Sequence, residues 1–253
     1  SHYAPLKVAA QFRVLEALAP GRIDLGIGRS PGGSAAAAEA LGRQGEGTFD
    51  ADVASLIALL ADKGEDDRPL RAYPVVATMA EPWILSSSPR GAALAASLGL
   101  PYCFNASHDL NHGLLDEAVA RYREDFRPGA LAARPRLALS VFALAAEEED
   151  RALFLYGPRG HWRVGLDRGR RSGMISPEAA AAEPYSPAER SRIAQSLTYS
   201  FVGAGADVAR RLLALARRTG AEELVLTTWC HAMADRERSC ALIAAEMERL
   251  QND

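Results

Sequence analysis

No stretch of this 253-residue sequence approaches eighteen consecutive apolar residues, so it encodes no helix able to span a bilayer. Cysteine is scarce and odd in number. Cys103, Cys230 and Cys240 lie far apart, which excludes both a disulfide framework and a CxxC metal site and suits a reducing compartment. Basic charge is not in excess either: 29 Lys and Arg against 32 Asp and Glu give a formal net charge of −3. Nucleic acid and anionic membranes both demand a basic surface, so neither is expected as a partner. The first residues lack the charged-then-apolar order of a signal peptide, and a cytoplasmic location is expected. Two-residue hairpin turns between apolar runs are missing as well, which argues against an antiparallel sheet.

What is present is the composition of an ordinary globular chain, 48% hydrophobic and 24% charged. At this length it can bury roughly 70–75% of its unfolded surface. Pro5 is well placed as the first residue of a helix over 6–18, with Val8, Phe12, Leu15 and Ala19 on one face and Lys7, Gln11 and Arg13 off it. Pro20-Gly21 ends that helix. Ile23, Leu25 and Ile27 then alternate with Asp24, Gly26 and Gly28, the period of a strand, before Arg29-Ser30-Pro31-Gly32-Gly33 forbids its continuation.

Small residues around Arg29 would let backbone N–H groups approach a ligand, and a guanidinium fork matches a phosphate; an arginine capping a strand is the simpler alternative. A comparable duality holds at Ser86-Ser87-Ser88, which follows the apolar stretch Pro82-Trp83-Ile84-Leu85 and precedes a helix over 91–96. These serines read as N-caps, or as hydroxyls supplementing the anion-attracting end of the helix.

Further helices are expected over 34–41, 49–61, 109–127, 208–219 and 235–250, the third with Leu114, Ala118 and Tyr122 inward and the fourth with Arg210, Arg211, Arg217 and Arg218 exposed. The acidic run 147–150 reads as a helix start rather than a metal site. Residues 151–198, with Gly157-Pro158-Arg159-Gly160 interrupting a weak helical pattern, read as an insertion or lid in which His161 and Trp162 could line a pocket or form a surface pair. Five strands result, at about 22–28, 83–87, 101–106, 136–145 and 223–229, alternating with helices in one α/β domain over 1–253. Such alternation means a parallel sheet, whose ligands sit beyond the carboxyl ends of the strands. Arg29 and Ser86 to Ser88 both fall there.

The run His2-Tyr3-Ala4-Pro5-Leu6-Lys7-Val8-Ala9, with Gln11-Phe12, Leu15-Glu16-Ala17-Leu18, Pro20-Gly21-Arg22-Ile23-Asp24-Leu25-Gly26-Ile27-Gly28-Arg29 and Pro31-Gly32, resembles the signature of bacterial luciferase-like flavin monooxygenases. Leu85-Ser86-Ser87-Ser88, Leu94-Ala95-Ala96 and Gly99-Leu100-Pro101 resemble the family's second block, and Glu223-Leu224 with Asp235-Arg236 and Ser239 its last. Ala10 stands where the family carries a glutamate, and Ser86 where a glycine is common.

The resemblance implies a TIM-like (β/α)₈ barrel, here lacking about its first three strands, with reduced FMN at its C-terminal mouth. Arg29, with Ser30 nearby, would hold the flavin phosphate, and Ser86, Ser87, Ser88 and the Gly91 backbone would complete the cup. The implied activity is oxidation of a small organic substrate by molecular oxygen, with reduced flavin from a partner reductase and the chain as a homodimer. No protein side chain is singled out as a catalytic acid or base, and no metal is expected. A non-catalytic FMN-binding protein on a truncated barrel and a deazaflavin-dependent oxidoreductase of the same superfamily are the alternatives.

Overall fold

The computed structural model describes residues 3–30, 39–40, 48–65, 67, 69–107, 111–170 and 173–252. The chain divides into two compact units, one of residues 1–104 and 117–136, the other of 105–116 and 137–253.

In the first unit, α1 (Pro5–Leu18) leads into β1 (Asp24–Gly28), followed by α2 (Phe49–Ala61), β2 (Glu81–Ser86), α3 (Pro89–Ser97) and β3 (Tyr102–Ala106), whose last two residues belong to the second unit. The strands are parallel, with Gly28 opposite Leu85 and Ser86 opposite Phe104. Leu25 and Ile27 are buried while Asp24 and Gly26 are exposed, as the period-two pattern requires. α4 (His112–Glu124) begins in the second unit and ends in the first. There the fully buried Tyr122 ring packs 5.3 Å from that of Tyr102 and its hydroxyl lies 2.8 Å from the Leu100 carbonyl. The inward residue at the start of that helix is Leu115, not Leu114. The expected helix over 34–41 falls mostly outside the described residues.

The buried stripe of α1 also differs from expectation: it is Ala9, Arg13 and Glu16, while Leu15 and Val14 face solvent. The arginine is 1% exposed. Its guanidinium donates to the carbonyls of Leu59, Leu60 and Asp62 at the end of α2, and to that of Pro74. The last carbonyls of a helix have no partner of their own, so a cation delivered from a neighbouring helix both satisfies them and meets the negative end of the dipole. A charge can be buried here because its donors find acceptors.

The second unit is built on β4 (Leu137–Ala146), all ten residues of which are buried. Its first half pairs with β6 (Glu223–Thr227), Ala138 opposite Glu223. Its second half pairs with β5 (Phe201–Ala204), Ala143 opposite Phe201. β5, whose four residues include a glycine, is a sixth strand that the sequence pattern does not reveal. Where β6 stops, side chains take over: Thr228 donates to the Ala143 carbonyl at 2.8 Å, and Ser239 accepts the Ala145 N–H at 2.8 Å. Ser239 lies on α9 (Met233–Asn252), and α8 (Gly205–Thr219) carries the four arginines expected to be exposed.

Residues 151–198 are mostly helical: α5 (Glu149–Asp167) runs through Gly157-Pro158-Arg159-Gly160, and α6 (Pro177–Ala182) and α7 (Pro187–Thr198) follow. A Cβ on Gly160 would stand 2.8 Å from Ile193 Cγ2 on α7, and one on Gly157 3.3 Å from the Ala180 Cβ on α6. The glycines that blur the helical pattern thus let two helices approach α5 closely. The acidic run opens α5, with Glu149 and Asp150 in its first turn.

Candidate functional site

The register of β1 on β2 decides where the first candidate residues meet. Gly28 is paired with Leu85, so the chain leaves the two strands side by side as Arg29 and Ser86. A Cβ on Gly28 would lie 3.5 Å from the Leu85 carbonyl, an ordinary contact. Arg29 is half-buried, forms an ion pair with Asp50 at 2.7 Å and stacks over Phe49 at 4.8 Å from the ring centre. Both partners belong to the first turn of α2, so that turn sets the guanidinium's position. Ser30 is exposed.

The three serines do different things. Ser86 Oγ accepts the Ser88 N–H at 3.2 Å and lies 3.2 Å from Ser88 Oγ. Ser88 is the N-cap of α3, but its side chain makes no capping hydrogen bond; the turn is held instead by Ser86 and by Pro89 at the first helical position. The simple N-cap reading is therefore corrected: the hydroxyl that stabilises the turn belongs to the residue two positions earlier. Ser87 is exposed.

From below, the Tyr102 hydroxyl stands 3.2 Å from the Ser86 carbonyl and 3.4 Å from that of Ser88, donating to one at a time. Burial pushes this phenol well above its ordinary range, so it remains a neutral donor. Gly91 is buried against Ser86, and a Cβ there would come within 2.1 Å of Ser86 Oγ. Only glycine lets the first turn of α3 close over this side chain. Arg90, in the same turn, is exposed and forms no ion pair among the described residues; it escaped the sequence reading because a lone arginine after a proline carries no motif.

This donor set suits a phosphate: a guanidinium, serine hydroxyls and the N-terminal turn of a nine-residue helix. Asp50 is an opposing charge beside Arg29, and an anion there would have the guanidinium share its fork between carboxylate and phosphate. In the second unit, Trp162 lines a cavity of about 460 Å³ together with Trp229, whereas His161 turns to the Tyr185 hydroxyl at 3.0 Å. No group of three or more potential metal ligands occurs among the described residues, and none of the described helices is long and apolar enough to cross a membrane.

Comparison with known proteins agrees with this architecture. The family model described as luciferase-like monooxygenase matches residues 1–223. The uncharacterised protein YwcH of Bacillus subtilis (strain 168) is 36% identical over 249 residues, covering 96% of this chain and 74% of that protein. Among solved structures, apo-MsnO8 superposes with a TM-score of 0.87 at 31% identity, over 98% of this chain and 74% of its own. The oxygenating constituent of 3,6-diketocamphane monooxygenase from Pseudomonas putida, solved with FMN, shares the fold at a TM-score of 0.64 and 18% identity over 97% of this chain and 76% of its own, and an F420-dependent secondary alcohol dehydrogenase shares it at 0.67 and 14% over the same two fractions. The parallel α/β architecture is thus that of the TIM-like luciferase type, and the chain belongs to the luciferase-like monooxygenase family.

Proposed function

We propose that the chain is a flavin-dependent monooxygenase that uses reduced FMN and molecular oxygen to oxidise a small organic substrate. The observation that carries this reading is the β1–β2 register, which sets Arg29 beside Ser86, with Ser87, Ser88 and the buried Gly91 following in the same turn. Arg29, with Ser30 next to it, binds the FMN phosphate, and the serine turn closes the cup. When bound, the reduced flavin supplies the electrons with which oxygen is activated. The chain's own residues anchor, orient and exclude water. No side chain is assigned as acid or base.

A separate flavin reductase supplies the reduced cofactor, and the protein works in the cytoplasm as a homodimer. The dimer is supported by apolar side chains left exposed on α1, where Leu18 is 78% exposed with Val14 and Leu15 beside it.

The test is cofactor titration. Arg29→Ala should weaken FMN binding about 10- to 150-fold, the equivalent of one charge-assisted hydrogen bond of about 1.5–3 kcal/mol. Binding of riboflavin, which has no phosphate, should not change. An equal loss for both flavins, or no loss for FMN, would remove Arg29 from the phosphate site. Tighter binding of the deazaflavin F420 than of FMN by the unmodified chain would overturn the cofactor assignment.

A further inference from the structure

Buried in the second unit is a cation with no counter-charge among the described residues. Arg159, on α5, is 5% exposed. Its Nη2 donates to the Ser107 carbonyl at 2.5 Å, the Tyr156 side chain also interacts favourably with the guanidinium, and its Nη1 has no hydrogen-bond partner among the described residues. No described carboxylate pairs with it. Aromatic faces surround it instead: the guanidinium carbon lies 3.8 Å from the Phe142 ring centre and 4.9 Å from that of Trp229. Burial lowers its proton affinity without neutralising it, since an arginine keeps its charge in proteins. An uncompensated charge at such depth is costly, and aromatic faces offset only part of the cost.

The surroundings point to what would compensate it. Trp162 and Arg163 follow Arg159 by three and four residues, so all three share one face of α5. Arg163 repeats the anomaly on a smaller scale, with a buried Nε that also lacks a partner, while its Nη2 lies 3.6 Å from Asp167. Trp162 and Trp229 meet edge to face, 4.8 Å between ring centres, and both line the cavity of about 460 Å³. The rest of that lining includes Met174, Met233, His231 and Arg236 and, among the described residues, no acidic side chain. A chamber with indole and thioether walls, Arg236 in its lining and the Arg159 guanidinium behind the Trp229 wall suits a ligand with a flat apolar body and one negative end.

We propose that this cavity binds an aromatic carboxylate, with the ring against Trp162 and Trp229 and the carboxylate drawn to Arg236 in the lining and to the Arg159 and Arg163 guanidiniums behind it. This is a property of the second unit alone and does not depend on the flavin reading, because binding can be measured without cofactor.

The experiment titrates the flavin-free protein with 3-phenylpropanoate and, separately, with 3-phenylpropanamide, following tryptophan emission in a Trp83→Phe chain so that only Trp162 and Trp229 report. The carboxylate should bind about tenfold or more tightly than its uncharged amide, as expected for one charge-assisted contact. Arg159→Met should abolish that preference while leaving amide affinity unchanged. Should that variant fail to fold, Arg163→Met should reduce the preference severalfold. Equal affinity for acid and amide, binding of neither, or a preference that survives both substitutions would overturn the assignment.

Discussion

Replacing Arg13 by methionine tests the most unexpected feature of the first unit. The side chain keeps its length but loses every donor, leaving the carbonyls of Leu59, Leu60, Asp62 and Pro74 facing an apolar group. A buried acceptor left unsatisfied costs about 1–3 kcal/mol, and some of the four will recover water through the partly exposed Pro74 side. With the rest rehydrated, one or two acceptors left dry set an expected loss of about 2–4 kcal/mol. Against a total stability of about 5–15 kcal/mol this is a large fraction. Urea unfolding should be followed by Trp83 emission, a reporter inside this unit, in a chain with Trp162 and Trp229 changed to phenylalanine. The midpoint should fall with little change in slope. Arg13→Lys should recover only part of the loss, because an ammonium cannot reach carbonyls spread over a helix end and the loop beyond it. Val14→Met, on the exposed side of the same helix, should stay within about 0.5 kcal/mol of the parent. A loss below about 1 kcal/mol for Arg13→Met would refute the idea that this guanidinium holds α1 to the end of α2.

Gly160→Ala should destabilise the second unit by about 1–3 kcal/mol in thermal unfolding, because its Cβ would enter Ile193, and Ile193→Ala in the same chain should restore part of the loss. Gly91→Ala should disrupt the serine turn and FMN binding together, whereas pairing it with Ser86→Gly should recover the melting temperature by removing the atom it strikes; an innocuous Gly91→Ala would contradict the packing. Because the Tyr102 phenol is raised in the folded state by burial, its contribution to stability is complete below about pH 10 and lost as pH rises further, so Tyr102→Phe should show a shallower alkaline decline than the parent. Burial, reinforced by Asp235, pushes the Cys230 thiol up to about 11, so alkylation at pH 8 read by mass spectrometry should modify exposed Cys240 before Cys230; the reverse order would contradict this.

Period-two and helical spacing sufficed for β1 and α2, and a continuous apolar run for β4, whose inward side chains are ordinary hydrophobes. They failed where chemistry other than hydrophobicity decides burial. Arg13 and Glu16 occupy the buried stripe of α1, so a hydrophobic pattern points one residue to the side of the true face. In α5, Gly157, Pro158 and Gly160 carry the signals of a turn, yet the glycines serve close helix packing and the helix continues. β5 is too short to show a period. At the candidate site the residue types and their place at strand ends were legible, but the division of labour among Ser86, Ser88, Tyr102 and Gly91 depends on contacts between segments distant in sequence. Arg159 was legible only as part of an apparent break.

The pairing of β1 with β2 also acts as an alignment lock. Strand side chains alternate faces, so sliding β1 by a single residue would expose Leu25 and Ile27, bury Asp24, and part Arg29 from Ser86 at the same stroke. The residues that enforce the alignment are therefore not those that would touch a ligand. Substitutions at exposed Ser30 or Ser87 would change what the strand ends present while two buried aliphatic side chains keep those ends level, so specificity could drift without the site losing its coordinates.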